Sequence, residues 1–328
     1  MKIGLKSLLA LLSLLAFSNT NGQNIVEEYQ KAKKDSLRIG ELDTDFLEYI
    51  EKGYTLAKPD NTSNISGVII FFEGSGFDKK NMSAKQLYTQ ANIAGYAVLS
   101  VSTEIPLDFF FSENSIIDAH KIIERAFDKN NLPNNNVFLI GVGLSGHRAL
   151  KYVEYQEKNS PDFALNLSGL VICDAPLDWV RQYNEGNRDR RINYDEGAVW
   201  EGSFSNFILE ENLKGSPTSN LENYLNFSSY SYSDKTDRKI KYFKKYPVRA
   251  YMEVAIEYWL EKKRKTTIDN NGPDMVGLIA QLKLTGNEKS DLVIFYPHES
   301  KTEKKNTAAT WLAVDKDELM AWIIKWSN

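Results

Sequence analysis

Strand-length apolar runs alternate with helical spacings along most of the chain. GVIIFFEG (67–74) is β-branched and aromatic with no polar alternation, the pattern of a strand covered on both faces. YAVLSVS (96–102), NVFLIGV (136–142), LSGLVICDA (167–175), YPVRAYMEV (246–254) and DLVIFYP (291–297) repeat the pattern, and YTLAK (54–58) reads as an edge strand. Helical spacing fills the gaps. NMSAKQLYTQANIAG (81–95) closes on a glycine, and residues 112–131 set apolar positions three and four apart behind Ser112, a possible N-cap. Residues 145–158, 255–265, 272–286 and 315–326 are further helices. Repeated strand–helix–strand order predicts an α/β chain: a mainly parallel sheet with helices on both faces and functional groups at the carboxyl ends of its strands.

Two segments depart from this rhythm. Residues 179–246 are rich in Tyr, Asn, Ser and charge, and a helix over 198–213 is expected there. They read as a helical insertion, a lid over the strand ends. The first residues carry Lys2 and Lys6 ahead of an apolar run from Leu8 to Phe17, too short to span a bilayer comfortably. Residues 1–22 are therefore expected to be a signal peptide and 23–328 one domain, secreted or periplasmic. No later run is apolar enough for a transmembrane segment after that signal is removed.

Charge narrows the partners. Loss of Lys2 and Lys6 would take the net charge from −4 to −6, and no basic patch stands out, so nucleic acid is not an expected partner. EKKRK (261–265) reads as a solvated helix end. The single cysteine, Cys173, lies in an apolar run and has no internal partner for a disulfide. One Cys and three His make a zinc site improbable. No cofactor or metal is expected. No P-loop is present, and GVGLSG lacks the acidic residue that a dinucleotide fingerprint requires after its next strand.

The candidate chemistry sits at GLSGH, residues 143–147. A strand that turns sharply into a helix pushes one side chain above the sheet, and the helix amino end behind it favours developing negative charge. Ser145 is the candidate nucleophile and the Gly146 N–H a candidate oxyanion donor. The alternative is a serine N-cap after a glycine turn. EGSG (73–76) is a second glycine turn after a strand.

These features resemble the α/β-hydrolase superfamily, whose G-x-S-x-G nucleophile elbow sits between a strand and a helix. The match is G-x-S, with His147 where the second small residue is usual. The resemblance covers roughly residues 50–328. It implies a secreted serine hydrolase acting on a small-molecule, glycan or lipid carboxylic ester, less readily on an amide, through an acyl-enzyme. Ser75, Gly76 or Phe77 would supply the other oxyanion N–H. The order Ser, acid, His places the base at His298, after the last strand, and the acid at Glu253, with Asp178 as alternative. Asp174 and Glu257 fit less well; His120 reads as a surface or packing residue, and His147 as packing against the 73–77 loop. Trp179, Tyr183, Tyr194 and Trp200 would line the lid or form its core. A second alignment to secreted members puts Ala255 where Asp is usual and Ala309 where His precedes Trp311. That alignment implies a non-catalytic, hydrolase-like protein that binds a ligand or partner, its triad lost.

Overall fold

Uninterrupted apolar runs become the inner strands, because each must be covered on both sides. The computed structural model describes residues 24–32, 50–62, 64–72, 82–103, 113–296 and 310–327. Eight strands form one sheet: β1 (Asn24–Ala32), β2 (Ile50–Lys58), β3 (Gly67–Phe72), β4 (Tyr96–Ser102), β5 (Val137–Val142), β6 (Leu167–Cys173), β7 (Val248–Glu253) and β8 (Asp291–Phe295), in the order β1-β2-β4-β3-β5-β6-β7-β8. β1 and β2 pair antiparallel, as do β2 and β4, and every pair from β4 onward is parallel.

The helices are α1 (Tyr88–Ile93), α2 (Glu113–Asn130), α3 (Leu144–Asn159), α4 (Trp179–Ile192), α5 (Glu196–Leu213), α6 (Pro217–Phe227), α7 (Gly272–Leu284) and α8 (Lys316–Lys325). Shorter helical turns lie at Ile240–Phe243, Ile256–Tyr258, Trp259–Lys263 and Thr310–Ala313. One face of the sheet packs Val68, Ile70, Leu99 and Leu139 against α2, α3 and α7. The other packs Ile69, Phe71, Val98, Phe138 and Cys173 against α1 and the carboxyl-terminal segment from Trp311 to Ile323. The alternation of residues 68–72 between the two cores is the pleat of the strand.

Two expectations are corrected here. YTLAK is not an edge: β2 lies between β1 and β4, with Tyr54 and Leu56 fully buried. The edge on that side, β1, is NIVEEYQKA, whose interspersed charges hide it from an apolar-run search and protect an open edge from pairing with other chains, and β8 forms the opposite edge. The helix expected over 255–265 is broken into a short α turn and a π turn that ends at Arg264 with φ 53°.

Residues 179–246 form α4, α5, α6 and the Ile240–Phe243 turn, with their own core around Trp179, Tyr183, Phe204 and Tyr224. α4 and α5 touch at Gly186 and Gly202: a Cβ on Gly186 would stand 2.9 Å from the Gly202 oxygen. Backbones so close exclude any larger side chain at the crossing.

A buried ionic cluster joins α3 to this insertion. Glu154 accepts hydrogen bonds from Lys151 (3.2 Å), Lys239 (2.5 Å) and Lys158. Burial alone would raise the Glu154 carboxyl; the ammonium groups of Lys151 and Lys239 and the hydrogen bonds override it and hold it at about 2. A carboxyl held low in the folded state stabilises the fold above its unfolded value, and that contribution is lost as pH falls through the folded one. Stability should therefore fall steeply between about pH 4.5 and about pH 2, a drop that Glu154→Gln flattens; urea titrations followed by circular dichroism across that range measure it. An unchanged slope in the variant would move the acid sensitivity elsewhere.

Candidate functional site

Strand order places the site. β4 lies on one side of β3 and β5 on the other, so the chain reverses direction across the sheet between β3 and β5. A crevice opens at the carboxyl ends of strands flanking such a reversal. β5 ends at Val142, and α3 begins two residues later at Leu144.

The residue between them is Gly143, with φ 57° and ψ −132°. This is a backbone region that side-chain-bearing residues enter only under strain. Its N–H donates to the Cys173 carbonyl at 2.8 Å, which ties the corner to β6. Gly141 and Gly146 let the helix close onto the strand: a Cβ on Gly141 would stand 2.3 Å from the Gly146 Cα, and one on Gly146 would stand 2.5 Å from the Ala175 Cβ. Among the described residues, a Cβ on Gly143 would meet nothing within 4 Å.

This geometry corrects the frame of the elbow. In G-x-S-x-G the nucleophile is the strained corner residue, with small residues two before and two after it. The corner here is Gly143, and its flanking small residues are Gly141 and Ser145. Ser145 instead occupies the first turn of α3. Its hydroxyl donates to the Val142 carbonyl at 2.8 Å and accepts the Val142 N–H at 2.9 Å. The Gly146 N–H is also engaged, donating to the Gly143 carbonyl at 2.9 Å. The donor that follows the corner is the Leu144 N–H, at a helix end where the first N–H groups have no intrahelical acceptor.

The expected partners are dispersed. His298, Ser75, Gly76, Phe77 and Ala309 lie outside the described residues. Glu253 ends β7 and is half-buried; burial and the neighbouring Asp174 charge push its carboxyl up. Asp178 is a helix cap: Oδ1 accepts from Val180 N (3.0 Å), Arg181 N (3.2 Å) and Ser231 Oγ (2.9 Å), and Oδ2 from Tyr232 N (2.9 Å). Its oxygens serve the start of α4, a poor setting for orienting an imidazole. Ala255 is buried beside the short turn it precedes.

The two described histidines are packing groups. His120 is buried against Tyr152, with Nδ1 3.0 Å from the tyrosine hydroxyl. His147 is fully buried against Trp179 and Phe227, with Nδ1 3.1 Å from Ser229 Oγ, and the 73–77 loop expected beside it lies outside the described residues. Burial and the nearby lysine and arginine charges push it well below its usual value and keep it neutral.

A cavity of about 660 Å³ lies over the corner. Gly143, Leu144 and Asp174 contribute from the strand ends, and Trp179, Trp200 and Phe204 from the insertion. Trp259, Asn270 and Asn271 add a wall from the chain beyond β7 that sequence spacing did not reveal. Asp174 is half-buried and has φ 46°; burial raises its carboxyl, and Oδ2 accepts from Thr310 at 3.2 Å. A larger, more open cleft of about 870 Å³ lies at the amino ends of β5 to β7, between Asn136, Leu167 and Pro247. Chemistry in open α/β sheets belongs to the other end, and the smaller cavity is there.

No family model and no curated protein matches the sequence. Solved structures do. An acylaminoacyl peptidase of Pyrococcus horikoshii superposes with a TM-score of 0.53 at 13% identity, over 94% of this chain and 42% of that one. Carboxyl esterase 2 of the mycorrhizal fungus Tuber melanosporum gives 0.53 at 11% identity, over 94% of this chain and 86% of that one. A bacterial heroin esterase gives 0.50 at 12% identity, over 98% and 90%. The chain thus spans less than half the length of the peptidase and most of the length of these two esterases. With a mostly parallel eight-stranded sheet and helices on both faces, these superpositions show that the chain has the α/β-hydrolase fold.

Proposed function

We propose that this chain is a non-catalytic protein of α/β-hydrolase fold that binds a small ligand in the cavity over Gly143. One observation carries the reading: the strained corner where the fold presents a nucleophile is a glycine, and it has no side chain to attack with. The hydroxyl of Ser145, two residues on, is committed in both directions to the Val142 backbone. A nucleophilic serine needs instead a base within hydrogen-bond reach.

A second reading is favoured by the neighbours being esterases and a peptidase. It is a serine hydrolase in which Ser145 attacks a carboxylic ester, His298 accepts its proton and Glu253 orients His298. Residues 1–22 support export of either form, so we place its work outside the cytoplasm.

A fluorophosphonate probe separates the readings. Folded wild-type protein should remain unlabelled. Ser145→Ala should lose about 1 kcal/mol of stability, the net worth of an intramolecular hydrogen bond, and nothing else. Labelling that vanishes in both Ser145→Ala and His298→Ala would establish the hydrolase instead.

A further inference from the structure

We propose that the cavity over Gly143 takes a neutral polyhydroxylated ligand, a glycan, seated on the indole rings of Trp200 and Trp259. The proposal deepens the non-catalytic reading and rests on it for the ligand remaining intact.

Three of the six tryptophans in the chain line this one cavity. Trp179 is buried in the core of the insertion, whereas Trp200 lies flat on Phe204, with ring centroids 5.3 Å apart, and keeps 39% of its surface exposed. Trp259 is half-buried on the opposite side of β7 in sequence, and the Lys263–Asp195 pair at 2.7 Å ties its segment to the start of α5. Exposed aromatic faces in a concave site are anchors for flat apolar surfaces, and the C–H face of a pyranose ring is one.

The polar wall decides against other ligands. Apart from the exposed Glu201, its charges are already compensated. Glu185 pairs with Arg181 at 3.1 Å and Lys265 at 2.5 Å, Asp195 pairs with Lys263, and Asp269 pairs with Arg188 at 3.1 Å. Burial raises the Asp174 carboxyl, and its Oδ2 accepts from Thr310 at 3.2 Å. An anionic ligand would find no unmatched cation in this wall, and an acyl chain would leave the wall's polar groups dry. Hydroxyls both donate and accept, so they suit the amides of Gln182 and Asn270. The Asn270 Oδ1 holds the Gly272 N–H, and its Nδ2 has no acceptor among the described residues. A volume of about 660 Å³ lies within the range of roughly 300–1,000 Å³ usual for ligand sites.

The test is tryptophan fluorescence and calorimetric titration of the mature protein with glucan, xylan and mannan oligosaccharides. Oligogalacturonate serves as the charged control and octanoate as the acyl control. A neutral oligosaccharide should bind saturably and be recovered uncleaved. Trp200→Ala and Trp259→Ala should each weaken it about tenfold or more, as loss of a tryptophan anchor does, with unchanged circular dichroism. Trp200→Phe should restore most of the affinity. Preference for octanoate or oligogalacturonate, no neutral ligand, or affinity indifferent to both tryptophans would overturn the proposal. Fluorophosphonate labelling of the same sample keeps the two readings apart. Labelling with glycan binding sinks only the non-catalytic reading, absence of both sinks only the glycan, and labelling without binding sinks both.

Discussion

Asp274→Ala should remove about 3–5 kcal/mol of stability, the cost of stranding one partner of a buried ion pair. Asp274 is on α7 and 1% exposed. Its Oδ1 accepts from Arg181 Nε at 2.6 Å, and its Oδ2 from Arg181 Nη2 at 2.9 Å, Leu177 N at 2.7 Å and Asp178 N at 3.0 Å. One carboxylate thus fixes both the side chain and the backbone that lead from β6 into α4. Without it, the Arg181 charge is left in a buried site with Glu185 as its remaining carboxylate, and two buried N–H groups lose their acceptor. Folded domains are stable by only about 5–15 kcal/mol, so this loss is a large fraction of the total. The attachment of α4 also positions the aromatic wall of the cavity, so ligand binding should disappear with it. Urea unfolding gives the number. A loss under about 1 kcal/mol would mean that water replaces the carboxylate. The double variant Arg181→Met/Asp274→Leu should recover much of the loss, because it removes the stranded charge as well.

Much of this architecture was legible in the apolar pattern. β3 to β6 and most of β7 are runs covered on both faces, and burial that complete leaves an unbroken apolar signature, whereas β8 carries a similar run at the sheet edge with Ile294 exposed. β1 was not legible, because an edge strand that shows one face to water alternates, and NIVEEYQKA alternates with charge. The glycine-rich turn was legible in the sequence, but the residue at its corner was not. Sequence alone offers a serine between glycines; only backbone angles reveal which residue sits at the corner. The available signal was Gly141, which supplies the small residue two before Gly143. Asp178 looked like a strand-end acid because cap residues and catalytic acids occupy the same strand-to-helix turns. The wall formed by Trp259, Asn270 and Asn271 was invisible for another reason. Those residues meet Trp200 only through tertiary packing across about sixty residues of chain, a separation that no periodicity encodes.

The frame of the corner can be read from two single substitutions with different physical costs. Gly141→Ala puts a methyl 2.3 Å from the Gly146 Cα and 2.6 Å from the Gly146 N. Both are backbone atoms of α3, so no side chain can swing aside, and the helix must lift off the sheet. The expected cost is about 3 kcal/mol, at the upper end of overpacking. Gly143→Ser meets nothing within 4 Å among the described residues, yet forces a side-chain-bearing residue to φ 57° and ψ −132°. Its expected cost is about 1–2 kcal/mol, backbone strain alone. The order is what matters: a larger loss at Gly141 than at Gly143, with Gly143→Ser still folded and its new hydroxyl projecting into the cavity. Equal losses would place the strain elsewhere in the turn and return Ser145 to consideration. A folded Gly143→Ser that remains unlabelled by fluorophosphonate would show that the corner hydroxyl lacks a base as well. Labelling in that variant alone would mean that the rest of the machinery is intact, and that a single glycine holds this fold in its binding form.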